Sequence, residues 1–208
     1  MKKVFMRYIL PVIGVLAAVF LDQWTKYLTV NEIGTGGRIV LIEDIFELVY
    51  VKNNGMAWGL FQNQQLIFII LTPLVLAAVA FLYLRMPYEK KYLPLRILMV
   101  MIAGGAIGNL VDRMFRGEFC KGHVVDMFYF KAIDFPVFNV ADSFISVAFA
   151  VLIVLVLFVY KEEDFDRIFS FAKKKSSQED QSAQELDADA DAKEAAESVE
   201  VAKDATKE

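Results

Sequence analysis

The sequence predicts an all-α membrane protein: four transmembrane helices, a small extracytoplasmic β-sheet on the membrane surface, and both termini in the cytoplasm. Three observations carry that prediction. Two long runs, 66–84 and 143–160, contain no charged residue. Each is close to the roughly 20 apolar residues that a helix needs to cross about 30 Å of hydrocarbon. Basic residues gather in three segments that alternate with outer segments of a different character. Between the first two spans lies a stretch rich in β-branched and aromatic residues.

The spans fall at about 4–27, 66–84, 95–115 and 139–160. The first has an uncharged centre from Tyr8 to Leu21. The third is the weakest by hydropathy, because only 97–111 is uncharged before Asp112 and Arg113. The N-terminus imitates a cleavable signal peptide, with a basic start and a short apolar core. Asp22, Gln23 and Trp24 then follow Leu21, with no small-residue cleavage site, so the segment is expected to be retained.

Orientation follows from the Lys and Arg residues. Lys2, Lys3 and Arg7 precede the first span. Arg85, Lys90, Lys91 and Arg96 lie between the second and third. Lys161, Arg167 and Lys173 to Lys175 follow the fourth. These segments are expected inside, which leaves 28–65 and 116–138 outside. Residues 38–51 (RIVLIEDIFELVYV) sit between Gly37 and Gly55 and read as two or three short strands on the membrane surface.

Residues 1–165 are expected to form one four-span domain, and 166–175 a basic juxtamembrane segment. Residues 176–208 hold 11 Asp or Glu and 3 Lys, a net charge of −8 in a chain whose total is −4, so 1–175 carries +4. This tail has no aromatic residue and cannot offset its ordering entropy by burial, so disorder is expected. No nucleic-acid partner is expected.

The candidate chemistry is narrow. Cys120 and His123 are the only residues of their types. A two-histidine zinc motif or a cysteine-rich metal site cannot be built from them. Carboxylates are the abundant remaining catalytic group. Ionisable residues in spans are costly and are therefore functional candidates. Asp22 with Lys26, Asn109 with Asp112 and Arg113, and Asn139 with Asp142 all lie at the outer ends of spans. Asp126 lies in the outer loop.

Each candidate also has a plain structural reading. Asp22 and Lys26 are i,i+4, the spacing of a helical ion pair. Asn109, Asp112 and Arg113 share one helical face and suit a clamp that organises a site. Asp142 could cap its helix, and Asp126 could be an ordinary loop acid. Gly104 and Gly108 give the small-xxx-small spacing of close helix packing, with Gly105 beside them. Trp24, Tyr27 and Trp58 suit an interfacial belt. The chemistry that fits Asp126 and Asp142 is a dyad sharing one proton, in which one carboxylate activates water and the other protonates a scissile carbonyl.

Five segments, in order over about residues 1–160, resemble the lipoprotein signal peptidase family, also called signal peptidase II. They are Asp22-Gln-Trp-Thr-Lys26, Asn53-Asn-Gly-Met-Ala-Trp-Gly59, Gly104-Gly-Ala-Ile-Gly-Asn-Leu-Val-Asp-Arg113, Gly122-His-Val-Val-Asp126 and Phe138-Asn-Val-Ala-Asp-Ser143. The resemblance implies a bacterial inner-membrane aspartic endopeptidase with its active site at the periplasmic face. Its implied substrate is a diacylglyceryl-modified prolipoprotein, cut just before the lipidated cysteine. Asp126 and Asp142 would be catalytic. Asn53, Gly55, Asn109, Arg113 and Asn139 would shape the site, supported by Asp22, Lys26, Asp112, Gly105 and Gly108. The resemblance implies no cofactor, and implies inhibition by globomycin-type peptides. A monomer in contact with membrane lipid is expected.

Two features depart from the family pattern. Residues 117–121 look inserted, and Met56 and Trp58 stand where Ala and Phe are common. Residues 53–61 and 115–130 are expected to form facing walls of a substrate clamp. Two other readings compete. A proton-coupled transporter would need acids along a through-path, yet none lies mid-span. A non-enzymatic scaffold would leave the convergent polar residues unexplained.

Overall fold

The computed structural model describes residues 4–55 and 64–169. Met56, Trp58, residues 56–61 of the expected clamp wall, and residues 170–208 with the acidic tail lie outside the described residues.

Among the described residues, four helices are long and apolar enough to cross a membrane. We label them α1 (Leu10–Leu28), α2 (Gln65–Arg85), α3 (Leu93–Phe115) and α4 (Val140–Phe158). Wider π-helical turns extend α1 at both ends, Phe5–Ile9 and Thr29–Ile33. The continuous helical segment therefore reaches Ile33, six residues past Tyr27. The sequence places no helix beyond Tyr27 because Asn31 and Glu32 end the apolar pattern. Pro94 lies in the first turn of α3, where a missing N–H costs nothing, and Pro11 lies just after the π-helical turn that leads into α1.

α3 packs against α1, α2 and α4. It is also the helix with the most buried residues, from Leu95 to Asp112, whereas α2 has none. That accounts for the weak hydropathy of the third span. A helix enclosed by other helices need not present an apolar surface all round. Its glycines set the close approach. A Cβ on Gly104 would lie 2.5 Å from Ala18 Cβ on α1, and one on Gly105 would lie 2.5 Å from the Ala141 carbonyl oxygen on α4. Leu98, Ile102 and Ala148 form the apolar centre between α3 and α4, with Val79 and Leu152 against it.

Three antiparallel strands complete this unit: β1 (Arg38–Ile42), β2 (Phe46–Asn53) and β3 (Val124–Phe130), in the order β1-β2-β3. Only two strands come from 28–65. The third comes from 116–138, which the sequence reading treats as loop. Val124-Val-Asp-Met-Phe-Tyr-Phe130 has the composition of a strand, but the central Asp126 obscures it. β1 is exposed at every position, including Val40, Leu41 and Ile42. An apolar edge strand of this kind is a hazard in water and suits a membrane surface.

The separate unit beginning at Lys161 contains a helical segment, 162–169. Asp164 Oδ2 accepts from the Lys161 N–H at 3.0 Å near its start.

Candidate active site

β3 and α4 are joined by backbone pairing just before the helix starts. Phe128 N donates to Phe138 O at 2.8 Å, and Phe138 N donates back to Phe128 O at 3.1 Å. The rings of Phe128 and Phe138 pack with centroids 5.5 Å apart. This pairing brings Asp126, two residues before Phe128, beside Asn139, one residue after Phe138. Asn139 Nδ2 then donates to Asp126 Oδ1 at 2.6 Å.

Asn139 is also the N-cap of α4. Its Oδ1 accepts from Asp142 N at 2.9 Å, and its own N donates to Asp142 Oδ2 at 3.2 Å, a reciprocal capping box. One asparagine therefore touches both aspartates. From α3, Asn109 Nδ2 donates to Asp142 Oδ1 at 2.8 Å, and its Oδ1 accepts from Asn139 Nδ2 at 3.2 Å. From the end of β2, Asn53 Nδ2 donates to Asp126 Oδ2 at 2.8 Å. Three asparagines on three elements fix the two carboxylates.

The two aspartates sit in unlike surroundings. Asp126 is 1% exposed, while Asp142 is half-buried in the first turn of α4, where the helix dipole favours an anion. Burial pushes the Asp126 carboxyl up to about 7, and the nearby Asp142 charge pushes the same way. The amide donors of Asn53 and Asn139 act in the opposite direction. Near neutral pH, Asp126 is therefore poised to hold or release a proton.

A cavity of about 630 Å³ adjoins the pair. Asn53, Asn109, Arg113 and Asp142 line its polar side, and Phe68, Ala106, Ile145 and Val147 line its apolar side. Arg113 crosses it, donating to Gly55 O at 3.2 Å and to Asn109 O at 3.2 Å. Its guanidinium lies 4.5 Å from the Phe68 ring centroid on α2. Gly55 N donates to Asn53 Oδ1 at 2.8 Å, so the turn after β2 also orients Asn53.

Asp112 turns away from Arg113, because adjacent helical residues point in different directions. It belongs to a buried cluster behind the pair. Lys26 Nζ lies 2.8 Å from Asp22 Oδ2, 2.9 Å from Asp112 Oδ2 and 2.8 Å from Asn109 Oδ1. Asp22 Oδ1 accepts from Ala141 N at 3.0 Å, so α1 satisfies an orphan amide in the first turn of α4. Asp112 Oδ2 accepts from Val125 N at 3.2 Å, which ties β3 to α3. The Asp22–Lys26 pair is therefore more than a local helical contact, because it connects four elements around Asn109 and Ala141. A Cβ on Gly108 would lie 2.5 Å from Asp22 Oδ2.

Two members of this cluster escaped the sequence reading. Gln23 Nε2 donates to Asp22 Oδ2 at 3.1 Å, Asp112 Oδ1 at 3.2 Å and Gly108 O at 3.0 Å. Nothing in the sequence marks Gln23 beyond its place beside Asp22. Arg116 Nη2 reaches Asp112 Oδ1 at 3.0 Å, and their i,i+4 spacing was the available signal. His123 stays apart from the dyad. Burial, with Lys52 and Arg116 nearby, pushes its imidazole below the usual range.

Among the described residues, four membrane-length helices and two carboxylates joined through one asparagine, beside a half-apolar cavity, define a polytopic membrane protein with a carboxylate-bearing polar site. The family described as Signal peptidase (SPase) II matches residues 14–158, and the chain belongs to that family. It is 40% identical over 159 residues to a lipoprotein signal peptidase of Streptococcus thermophilus, covering 76% of this chain and 97% of that protein. It is 41% identical over 150 residues to a lipoprotein signal peptidase of Caldanaerobacter subterraneus, covering 72% and 97%. A solved bacterial membrane enzyme superposes with a TM-score of 0.63 at 26% identity, covering 74% of this chain and 93% of that one.

Proposed function

We propose that this chain removes signal peptides from diacylglyceryl-modified bacterial prolipoproteins, as an aspartic endopeptidase cutting just before the lipidated cysteine. Membership of the signal peptidase II family supports lipoprotein processing. The observation that carries the aspartic mechanism is the placement of Asn139 against both Asp126 and Asp142.

In this reading Asp142 takes the proton of a water molecule as that water attacks the scissile carbonyl. Asp126 enters protonated and donates its proton to the carbonyl oxygen, giving a tetrahedral diol. Proton return to the leaving amine then breaks the C–N bond. The Asp126 hydroxyl can still accept from an asparagine amide while it donates. Arg113 and Asn53 border the cavity where the extended lipobox would lie, and the apolar side would face the lipid chains. The basic segments support cytoplasmic termini, and hence an active site at the outer face of the inner membrane.

The test is cleavage of a purified diacylglyceryl preprolipoprotein by wild-type protein, Asp126→Asn and Asp142→Asn. Each variant should lose activity by about 10²–10⁴-fold while remaining folded, the range for removal of a positioned acid or base. Either folded variant cutting within tenfold of wild type would sink the dyad. Equal cleavage of unlipidated substrate would sink the substrate assignment.

A further inference from the structure

The opposite end of the helices carries a second polar arrangement that the aspartates do not use. We propose that the groove between α1, α2 and α3 binds one anionic phospholipid, with its phosphate held by Arg7 and Arg96 and one acyl chain along the apolar wall. α2 ends at Arg85, and the last carbonyls of a helix lack partners within it. Arg7 Nη2 donates to Leu84 O at 3.1 Å, and Arg96 Nη2 donates to Met86 O at 2.7 Å. Each arginine thus uses one arm to close this helix end.

The remaining donors are what call for a ligand. Arg7 Nε, Arg96 Nε and Arg96 Nη1 are buried and meet no acceptor among the described residues. Arg96 is only 5% exposed, and its guanidinium lies 4.9 and 4.8 Å from the ring centroids of Tyr83 and Tyr88. Ring faces stabilise the charge but leave in-plane N–H groups unpaired. A buried cation with unmatched donors is costly, and a phosphate supplies both the opposite charge and the acceptors.

The groove beside them has a volume of about 510 Å³. Arg7 and Tyr83 stand at its head, and Val12, Leu76 and Ala103 are among the residues along its length. Arg96 precedes the groove-lining Met99 and Val100 by one turn, so it lies on the same face of α3. Tyr83 joins the two arginines, donating its OH to Arg7 O at 3.1 Å while its ring underlies Arg96. Among the described residues, no acidic side chain lines the groove. Val12 and Leu84 are more than half exposed, which opens it sideways. A free phosphate would match the head and leave the wall unused, whereas a phospholipid matches both.

Native mass spectrometry of the full-length protein in detergent tests this, using dioleoylphosphatidylglycerol, dioleoylphosphatidylcholine and inorganic phosphate. One phosphatidylglycerol per chain should be retained, at least tenfold more tightly than phosphatidylcholine, and inorganic phosphate should not displace it. Arg7→Gln and Arg96→Gln should each weaken retention by about tenfold or more, the consequence of losing one charged hydrogen bond. Ala103→Phe, which fills the apolar part, should weaken it as well. Thermal unfolding of each variant checks the fold. If Arg96→Gln fails to fold, Arg7→Gln and Ala103→Phe carry the test. Equal retention of the two lipids, displacement by inorganic phosphate, or unchanged retention in both Arg7→Gln and Ala103→Phe would overturn the proposal.

Discussion

Asn139 Nδ2 donates to Asp126 Oδ1 across 2.6 Å, and the same side chain accepts from Asp142 N through its Oδ1. Asn139 therefore sets the spacing of the dyad and the start of α4 together. Asn139→Ala should lower turnover by about 10–100-fold through misplacement of the pair, as small displacements from productive geometry do. It should also cost about 1 kcal/mol of stability from the lost cap. Asn139→Ser restores an N-cap acceptor but not the reach to Asp126. It should recover the stability and not the rate, as read by thermal unfolding and peptide cleavage. Full recovery of rate by Ser would contradict the bridging role.

The pH profile reports the same pair. Asp126 is pushed up to about 7, first by burial and then by Asp142, so its protonated form is lost as pH rises through that value. If Asp126 is the acid, kcat/KM should fall on an alkaline limb centred near 7. The Asn53 amide favours the ionised form of Asp126. Asn53→Ala removes that preference, so the limb should move to higher pH even as the maximal rate drops. A limb that stays fixed or moves to lower pH would assign it to another group.

Much of this arrangement was legible from residue types, and the gaps have physical causes. Long uncharged runs announce helices such as α2 and α4 because hydrocarbon allows no alternative way to satisfy a spanning backbone. The small residues of α3 announce close packing. They do not reveal that Gly104 and Gly108 face α1 while Gly105 faces α4, because that depends on which helices become neighbours. Asp126 was visible as an acid among apolar residues, but its strand was hidden by the acid itself. The pairing of Phe128 with Phe138 joins positions ten residues apart and leaves no local signature. The divergence of Asp112 and Arg113 follows from helix geometry, yet only the fold supplies Lys26 for one and Gly55 for the other.

Lys26 bridges Asp22 and Asp112 in the cluster behind the site, and its side chain is fully buried. Lys26→Met would leave the buried Asp22 without its cation and Asp112 with Arg116 alone. The expected loss is about 3–5 kcal/mol, the range for removing one member of a buried pair. It should appear as a large fall in Tm in detergent, with activity lost through unfolding. Neutralising all three positions, Asp22→Asn with Lys26→Met and Asp112→Asn, should recover part of that loss, because the unpaired charges are then gone. A Lys26→Met variant with wild-type Tm would show that the cluster contributes little.

Gly105 offers a test of packing that leaves every charge in place. A Cβ there would lie 2.5 Å from the Ala141 carbonyl oxygen and 2.9 Å from Ile145 Cγ1. The nearer atom belongs to the α4 backbone, so relief requires the helix to move. α4 carries Asp142, whose Oδ1 depends on Asn109 one turn further along α3. Gly105→Ala should therefore cost about 1–3 kcal/mol as an overpacked contact, of which the roughly 1 kcal/mol that alanine gains in helix propensity offsets a part, for a net loss of up to about 2 kcal/mol. Turnover should fall as well, because displacing α4 stretches the Asn109–Asp142 bond. Ala106→Gly on the next position, which lines the cavity, serves as the propensity control. It should lose only about 1 kcal/mol. Gly105→Ala with unchanged Tm and rate would mean that α4 can shift without disturbing the dyad.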